Sequence, residues 1–246
     1  MKITVTKIVQ AVDPTKKKVD ELYEVAQRSA QLRNELWNQY GSISGLLTLN
    51  YPRAVRDEWV KNGKGYSTHL QARTWKTAME DAFVSIKSLW SNAKAKVRER
   101  LFKKNGLTEK EKHYGFYLLK NNDLLHKVLS AVLFDLPEVF QGQKIDREKV
   151  HKWLSSMLRK DKGNKPRQKR SRTFTLDQNM YDLKEDEKGR LWLGIMGLVP
   201  RRRIHLRLSS SRRFSGNTRI VLKGKLVEFH YTEEEDCPEP KEGQKV

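Results

Sequence analysis

The sequence predicts an α+β fold in which a small β-barrel is interrupted by an inserted bundle of helices. Three observations predict this class. Apolar and polar residues alternate near the N-terminus, apolar residues recur every three or four positions through residues 17–158, and alternation returns after residue 172. A chain of 246 residues is long enough to bury a substantial core, as one elongated domain or as two small ones.

These changes in period predict five segments. Residues 1–14 carry the first barrel strand, residues 15–158 form a helical domain, and residues 159–172 form a basic connector. Residues 173–232 supply the remaining barrel strands, and residues 233–246 form an acidic tail or linker. The first strand would therefore complete a barrel whose other strands follow the helices.

The first half of the helical domain is predicted to hold three helices. An amphipathic helix covers about residues 17–41, and a short helix covers residues 52–62, where apolar residues share one face. Ser67 or Thr68 is predicted to cap the longest helix. The apolar residues of that helix recur at helical spacing through residues 70–101.

The second half is divided by capping residues. Thr108 and Glu111 have the spacing of a capping box and begin another helical region. Residues 118–133 are rich in leucine and valine, which predicts two core-forming helices broken at residues 121–123. Asp146 is predicted to cap the last helix.

After the connector, apolar residues alternate with polar or basic ones, which is typical of half-buried strands. The predicted strands cover residues 173–180, 190–198, 203–208, 218–222 and 225–231. The last two are joined by Lys223-Gly224, a short hairpin turn.

Charge points to a polyanionic partner. The chain has 50 Lys and Arg against 30 Asp and Glu, a formal net charge of +20. Residues 159–172 contain eight basic residues and one acid, and such a run cannot be buried. Nucleic acid is the partner that this distribution favours, although a solvated linker is the alternative for an isolated basic run.

The candidate phosphate contacts lie in the connector and along the later strands. Around residues 203–207 the basic residues alternate with apolar ones, so that one sheet face can pack while the other meets a phosphate backbone. The predicted nucleic-acid-binding residues are Lys165, Arg167, Lys169, Arg170, Arg172, Arg201, Arg202, Arg203, Arg207, Arg212 and Arg213.

The sequence argues against several other sites and locations. The single cysteine, Cys237, has no partner for a disulfide or a Cys-based zinc site, and the six histidines lack metal-ligand spacing. We therefore expect no metal site and no cofactor. No stretch is apolar enough to span a membrane and no signal-peptide core precedes the first strand, so we expect a cytoplasmic protein without a membrane partner.

Catalytic patterns are equally weak. The serines at 209–211 lie between arginine-rich segments without a base at catalytic spacing, and no phosphate-binding glycine loop occurs. The acids at 233–236 form one contiguous run, which is more typical of a solvated linker than of the convergent ligands of a two-metal nuclease. We expect that the chain is not an enzyme by itself.

Four segments form an ordered set over most of the chain: SAQLRNELWNQY (29–40), LQARTWKTAMEDAFVSIKSLW (70–90), RSRTFTLDQNMYDLKEDEKGRLWLGIMGL (170–198) and SGNTRIVLKGKLVEFHYTEEE (215–235). The set resembles the wedge and recognition lobes of the TnpB family of transposon-encoded RNA-guided nucleases and of their descendants, the type V CRISPR effectors. The second segment resembles the Leu-Gln-x-Ala…Ala-Phe helix of that family, and the last two resemble wedge-barrel strands. The resemblance implies an OB-like wedge barrel, a helical recognition domain, and guide RNA and target DNA as partners.

The resemblance also implies a site that reads a short motif beside the DNA target. In the family, polar side chains at the start of the long helix reach base edges there, and Gln and Arg suit adenine and guanine. A solvated helix face is the alternative. The matching positions are Ser67, Gln71, Arg73 and Lys76, with Asn34 and Tyr51 contributed by earlier segments.

The nuclease part of the family is expected on a strand just beyond residue 246, where an Asp in a Gly-x-Asp-x-Gly-like sequence is the first catalytic carboxylate. Residues 194–197 superficially resemble this strand but carry no carboxylate. We therefore expect a module that binds guide RNA and target DNA. It is either truncated or works with a separate RuvC-like nuclease chain. The alternative is a stand-alone structural RNA-binding protein of a ribonucleoprotein. A neighbouring nuclease reading frame or structured repeat RNA would favour the first.

Overall fold

A computed structural model of the chain describes residues 2–165 and 171–236. The chain divides into two compact units, which we call the strand unit and the helical unit. The strand unit comprises Met1–Leu32, Gly63–Ala78 and Gln168–Val246, and the helical unit comprises Arg33–Asn62 and Met79–Arg167. Two of the unit boundaries, after Leu32 and after Ala78, fall inside long helices.

The larger sheet of the strand unit has four antiparallel strands in the order β1-β7-β6-β2. Its members are β1 (Lys2–Gln10), β2 (Thr173–Leu176), β6 (Thr218–Lys223) and β7 (Leu226–Asp236). The first strand pairs with the last along its whole length, from Lys2 opposite Asp236 to Gln10 opposite Glu228. The predicted hairpin between β6 and β7 is confirmed, and Gly224 occupies its turn at a φ of 63°.

The acidic residues 233–236 are not part of a tail. They continue β7 and pair with the start of β1. Lys2 forms an ion pair with Glu234 at 3.7 Å, and Lys7 forms one with Glu235 at 2.7 Å. The prediction for this part of the segment was wrong because the acids face cations of a strand from the other end of the chain. Residues 237–246 lie outside the described residues.

The smaller sheet has three antiparallel strands in the order β3-β4-β5. They are β3 (Tyr181–Glu185), β4 (Leu191–Met196) and β5 (Arg203–Arg207). Strand β3 is absent from the predicted strands because Leu183 is followed by charged residues. A single antiparallel bridge, Ala11 to Leu208, connects the end of β1 to the end of β5.

The α+β class is therefore confirmed, but the strands do not close into one barrel. The described strands form two antiparallel sheets. Closure fails because β3 pairs with β4 instead of β2, which leaves β2 and β3 as sheet edges. The predicted alternation still places the core: Phe174, Leu193, Ile220 and Phe229 are buried.

Six α-helices are described, and the predicted helices are confirmed with small changes in their ends. They are α1 (Lys16–Tyr40), α2 (Pro52–Lys61), α3 (Ala72–Phe102), α4 (Glu109–Lys120), α5 (Asn122–Leu129) and α6 (Arg147–Lys162). The core of the helical unit includes Trp90, Leu101, Leu118 and Leu154.

Two predicted details of the helices were wrong. Ser67 and Thr68 do not cap α3, because they close a short 3₁₀ helix, Lys64–Thr68, through hydrogen bonds to Lys64 O and Gly65 O. Val132 and Leu133 are not core residues. These residues are 49% and 82% exposed, since α5 ends at Leu129 and the chain leaves helical geometry there.

Glu111 links two helix starts within the helical unit. Its Oε2 accepts a hydrogen bond from Thr108 N at 2.7 Å, which completes the predicted capping box of α4. Its Oε1 accepts a bond from Asp146 N at 3.3 Å, at the N-cap of α6. The Thr108 backbone bond lowers the pKa of Glu111 despite the opposing effect of burial.

Candidate nucleic-acid interface

Strand β5 presents a basic outer face, as its alternation predicts. Ile204 and Leu206 are buried, whereas His205 is exposed and Arg203 and Arg207 are partly exposed. In the neighbouring strand, Trp192 lies opposite Arg207, so that an indole and a guanidinium occupy adjacent positions on the outer face. This face is the core of the candidate interface.

Arg203 is held by the fold itself. Its Nη1 donates to Gly194 O at 2.9 Å and lies 3.5 Å from Asp182 Oδ1. A hydrogen bond from a charged donor to a carbonyl contributes about 1.5–3 kcal/mol, which exceeds the ~0–1 kcal/mol of an exposed ion pair. The backbone carbonyl is therefore the main partner of Arg203, and a phosphate contact would compete with it.

Arg207 stands at the other end of β5, beside the start of α1. Val12 N donates to Arg207 O at 2.8 Å, and this bond brings residues just before α1 against the end of β5. Lys18, in the first turns of α1, lines the same surface cavity as Arg207. Lys18 is not recognisable from the sequence, because its proximity to β5 arises only from the pairing of β1.

The loop before β5 carries the exposed Arg201 and Arg202. Arg201 adopts a φ of 65°, an uncommon conformation for a side chain with a Cβ. Two side chains hold the loop in place: Gln71, just before α3, donates to Gly197 O and Val199 O, and Glu21 of α1 accepts from Leu198 N. These bonds fix the loop that presents the two arginines.

Across the described residues, the side chains of Lys18, Arg201, Arg202 and Arg207 form no hydrogen bond or ion pair. We call these four residues the β5 cations. An unpaired cation can bind a phosphate without first breaking an ion pair, so they are the best-placed phosphate contacts of the strand unit.

Two other predicted contacts already have acidic partners. Arg212 pairs with Glu233 at 2.5 Å, and Arg213 pairs with Glu185 at 3.6 Å. Glu233 was assigned to the tail, and its position on β7 explains why this pairing was not foreseen. Binding of either arginine to phosphate would release a carboxylate.

The basic connector is described only at its ends. Arg167, Lys169 and Arg170 lie outside the described residues. Lys165 donates to Asn34 O at 3.1 Å and to Asn38 Oδ1 at 2.7 Å, inside the helical unit. Arg172 is exposed just before β2, and its side chain has no partner among the residues that the structure describes.

The predicted motif-reading residues are distributed over both units. Ser67, Gln71, Arg73 and Lys76 belong to the strand unit, whereas Asn34 and Tyr51 belong to the helical unit. Arg73 pairs with Asp177 at 3.5 Å, and the Lys76 ammonium lies 5.6 Å from the centre of the Trp75 ring.

Tyr51 and Gln71 differ in their availability to a ligand. Tyr51 is 68% exposed. Gln71 is partly exposed, but its Nε2 donates to Gly197 O at 2.7 Å and to Val199 O at 3.1 Å, which occupies both amide hydrogens. Bidentate adenine recognition needs that group as a donor. This geometry favours an anchoring role for Gln71, and its role as a reader stays a prediction.

No protein-family model matches the chain, and comparison with curated proteins found no significant match. The residues in 2–165 and 171–236 contain no group of three or more His, Cys, Asp or Glu placed to hold a metal ion. In the same ranges, every helix is too short or too polar to cross a membrane.

Proposed function

We propose that the chain is a nucleic-acid-binding protein whose strand unit holds RNA against β5 and the loop before it. The observation that carries this proposal is the set of β5 cations, which point outward without an ion-pair partner among the described residues. Strand β5 rises about 3.3 Å per residue, so its four steps from Arg203 to Arg207 span about 13 Å, and Arg201 and Arg202 precede its start. That span suits a phosphate backbone better than a small anion.

We further propose, from the resemblance, that this RNA is a guide and that the bound complex recognises target DNA, as in TnpB-like systems. In this assignment the two sheets of the strand unit are an opened counterpart of the wedge barrel, and the helical unit is the recognition lobe. In this assignment the chain binds the guide RNA and the target DNA, and a separate RuvC-like nuclease supplies the catalytic carboxylates. The ordered set of four segments supports this assignment.

Sequencing the RNA that co-purifies with the protein tests the assignment. We expect one RNA species in excess, with a constant structured part and a variable end that matches DNA targets. Matched duplex DNA should then bind only to the RNA-loaded protein. A ribosomal or other structural RNA as the main species would contradict the guide assignment and favour a ribonucleoprotein component, while retaining RNA binding.

A further inference from the structure

A surface cavity of about 250 Å³ lies in the strand unit where the end of β5 meets the residues before α1. Its lining combines the indole of Trp192 with three cations, Lys18, Arg190 and Arg207. His205 and one acid, Asp13, complete the polar part of the lining. Cations therefore outnumber acids in the lining, and Trp192 is its largest side chain.

Trp192 is fixed in this cavity rather than buried in the core. Its neighbours Leu191 and Leu193 are buried on the inner face, whereas Trp192 is partly exposed on the outer face. Trp192 Nε1 donates to Asp186 Oδ2 at 3.0 Å, and Arg190 Nε donates to the same oxygen at 2.8 Å. The indole is thus held in place through its edge, which does not engage its ring faces.

Asp186 is itself firmly ionised. Burial opposes its charge, but hydrogen bonds from the Arg190 backbone and side chain and from Trp192 lower the pKa of Asp186 well below its ordinary value. Lys188 N also donates to Asp186 Oδ1 at 3.0 Å, within the β3-β4 hairpin. The hairpin turn therefore acts as a fixed support for the indole at neutral pH.

The size of the cavity limits what it can take. Pockets that enclose a whole drug-sized ligand measure roughly 300–1,000 Å³, so this cavity suits part of a larger ligand. An aromatic ring beside unpaired cations matches the two chemical parts of a nucleotide, a flat base and a phosphate. In a duplex the base is already stacked and paired, so only an unpaired nucleotide can place its base on the indole.

We propose that this cavity is a subsite for one unpaired nucleotide of a bound strand, with the base stacked on Trp192 and the adjoining phosphate bound by Lys18 and Arg207. The subsite rests on the proposed nucleic-acid binding and specifies how one nucleotide is held. Arg190 keeps its hydrogen bond to Asp186, whose carboxylate orients the indole. Asp13 disfavours a second phosphate and so limits the subsite to one nucleotide.

Photocrosslinking and affinity measurements with single-stranded oligouridylate test the subsite. With iodouridine in an oligomer of about ten nucleotides, we expect Trp192 to carry the crosslink. Trp192→Ala should weaken oligouridylate binding roughly tenfold, because a stacked base contributes that order of affinity. Like Trp192→Ala, Trp192→Phe lacks the hydrogen bond to Asp186, but it keeps an aromatic ring. It should therefore retain most of the affinity and serves as the matched control.

Two further probes separate the alternatives. A blunt-ended RNA duplex without loops should bind wild type and Trp192→Ala equally, and uridine monophosphate should compete poorly with the oligomer. If the monophosphate competes as well as the oligomer, the cavity takes free nucleotides and the strand subsite is wrong. If Trp192→Ala binds oligouridylate like wild type, the subsite is wrong while RNA binding stands. If wild type binds neither RNA, the proposed function fails as well.

Discussion

At the residue scale, the fold uses several polar side chains that the sequence marked for ligands. Arg203 and Gln71 both donate to backbone carbonyls, and Lys165 donates to Asn34 O. Residue type and spacing predicted Arg203 and Lys165 as nucleic-acid contacts, and the resemblance implied Gln71 as a reader of the target motif. They could not predict the carbonyl partners, because those partners come from loops that are distant in sequence.

Replacement of Gln71 separates an anchoring role from a base-reading role. If Gln71 anchors the loop of Arg201 and Arg202, Gln71→Ala should weaken RNA binding by about 1 kcal/mol, roughly fivefold, since the loop loses two hydrogen bonds. The same substitution should add little further loss when Arg201 and Arg202 are already Ala, because the residues act together. RNA affinity is the measurement.

Gln27→Ala, on an exposed position of α1, is the control and should leave RNA binding unchanged. The reading role predicts a different pattern. In that case Gln71→Ala would keep the RNA affinity of wild type, and the preference for a motif beside the DNA target would relax in a randomised-flank binding assay.

At the element scale, local signals were reliable and pairing signals were not. The capping box of Thr108 and Glu111 and the cap at Asp146 were predicted from a few neighbouring residues, and both are present. In contrast, the assignment of residues 233–236 to a tail was wrong. A run of acids does not show that it pairs with β1, whose Lys2 and Lys7 lie at the other end of the chain. Strand β3 was missed for a related reason, since its outer face is charged.

The shared cap at Glu111 predicts a pH dependence of stability. The pKa of Glu111 is lowered in the folded state, so its ionised form stabilises the helical unit. That contribution is complete above the ordinary glutamate pKa of about 4.3 and is lost as the pH falls through the lower, folded-state pKa. Glu111→Gln should therefore lower the melting temperature at about pH 7, and the difference from wild type should shrink towards about pH 3.

Thermal unfolding followed by far-UV circular dichroism gives these melting temperatures. Glu109→Gln is the matched control because Glu109 lies in the same helical turn and is exposed. A pH-independent difference between Glu111→Gln and wild type would show that the carboxylate charge does not contribute to the cap.

At the scale of the whole molecule, periodicity predicted the α+β class, because alternation and helical spacing report directly on which face is buried. The separation of the strands into two sheets and the division of the chain into two units were not predictable in the same way. Both depend on which strand edges pair and on helices that contribute to each unit. For the interface, the net charge and the outer face of β5 were foreseen, whereas Lys18 and Trp192 required the tertiary structure.

The salt dependence of RNA affinity tests the central claim most directly. We would compare wild type with a variant in which three β5 cations, Arg201, Arg202 and Arg207, are changed to Gln. A control variant removes three other exposed cations of the strand unit, also as Gln: Lys17, Lys188 and Lys225, whose side chains form no ion pair among the described residues either. The two variants have the same net charge, so any difference between them reports on position.

Each phosphate contact to a single strand contributes about 0.7 to the slope of log affinity against log salt. The β5 variant should therefore bind more weakly at low salt, with a slope shallower by about 2, while the control keeps a slope close to that of wild type. Equal slopes for both variants would contradict the claim that RNA lies along β5.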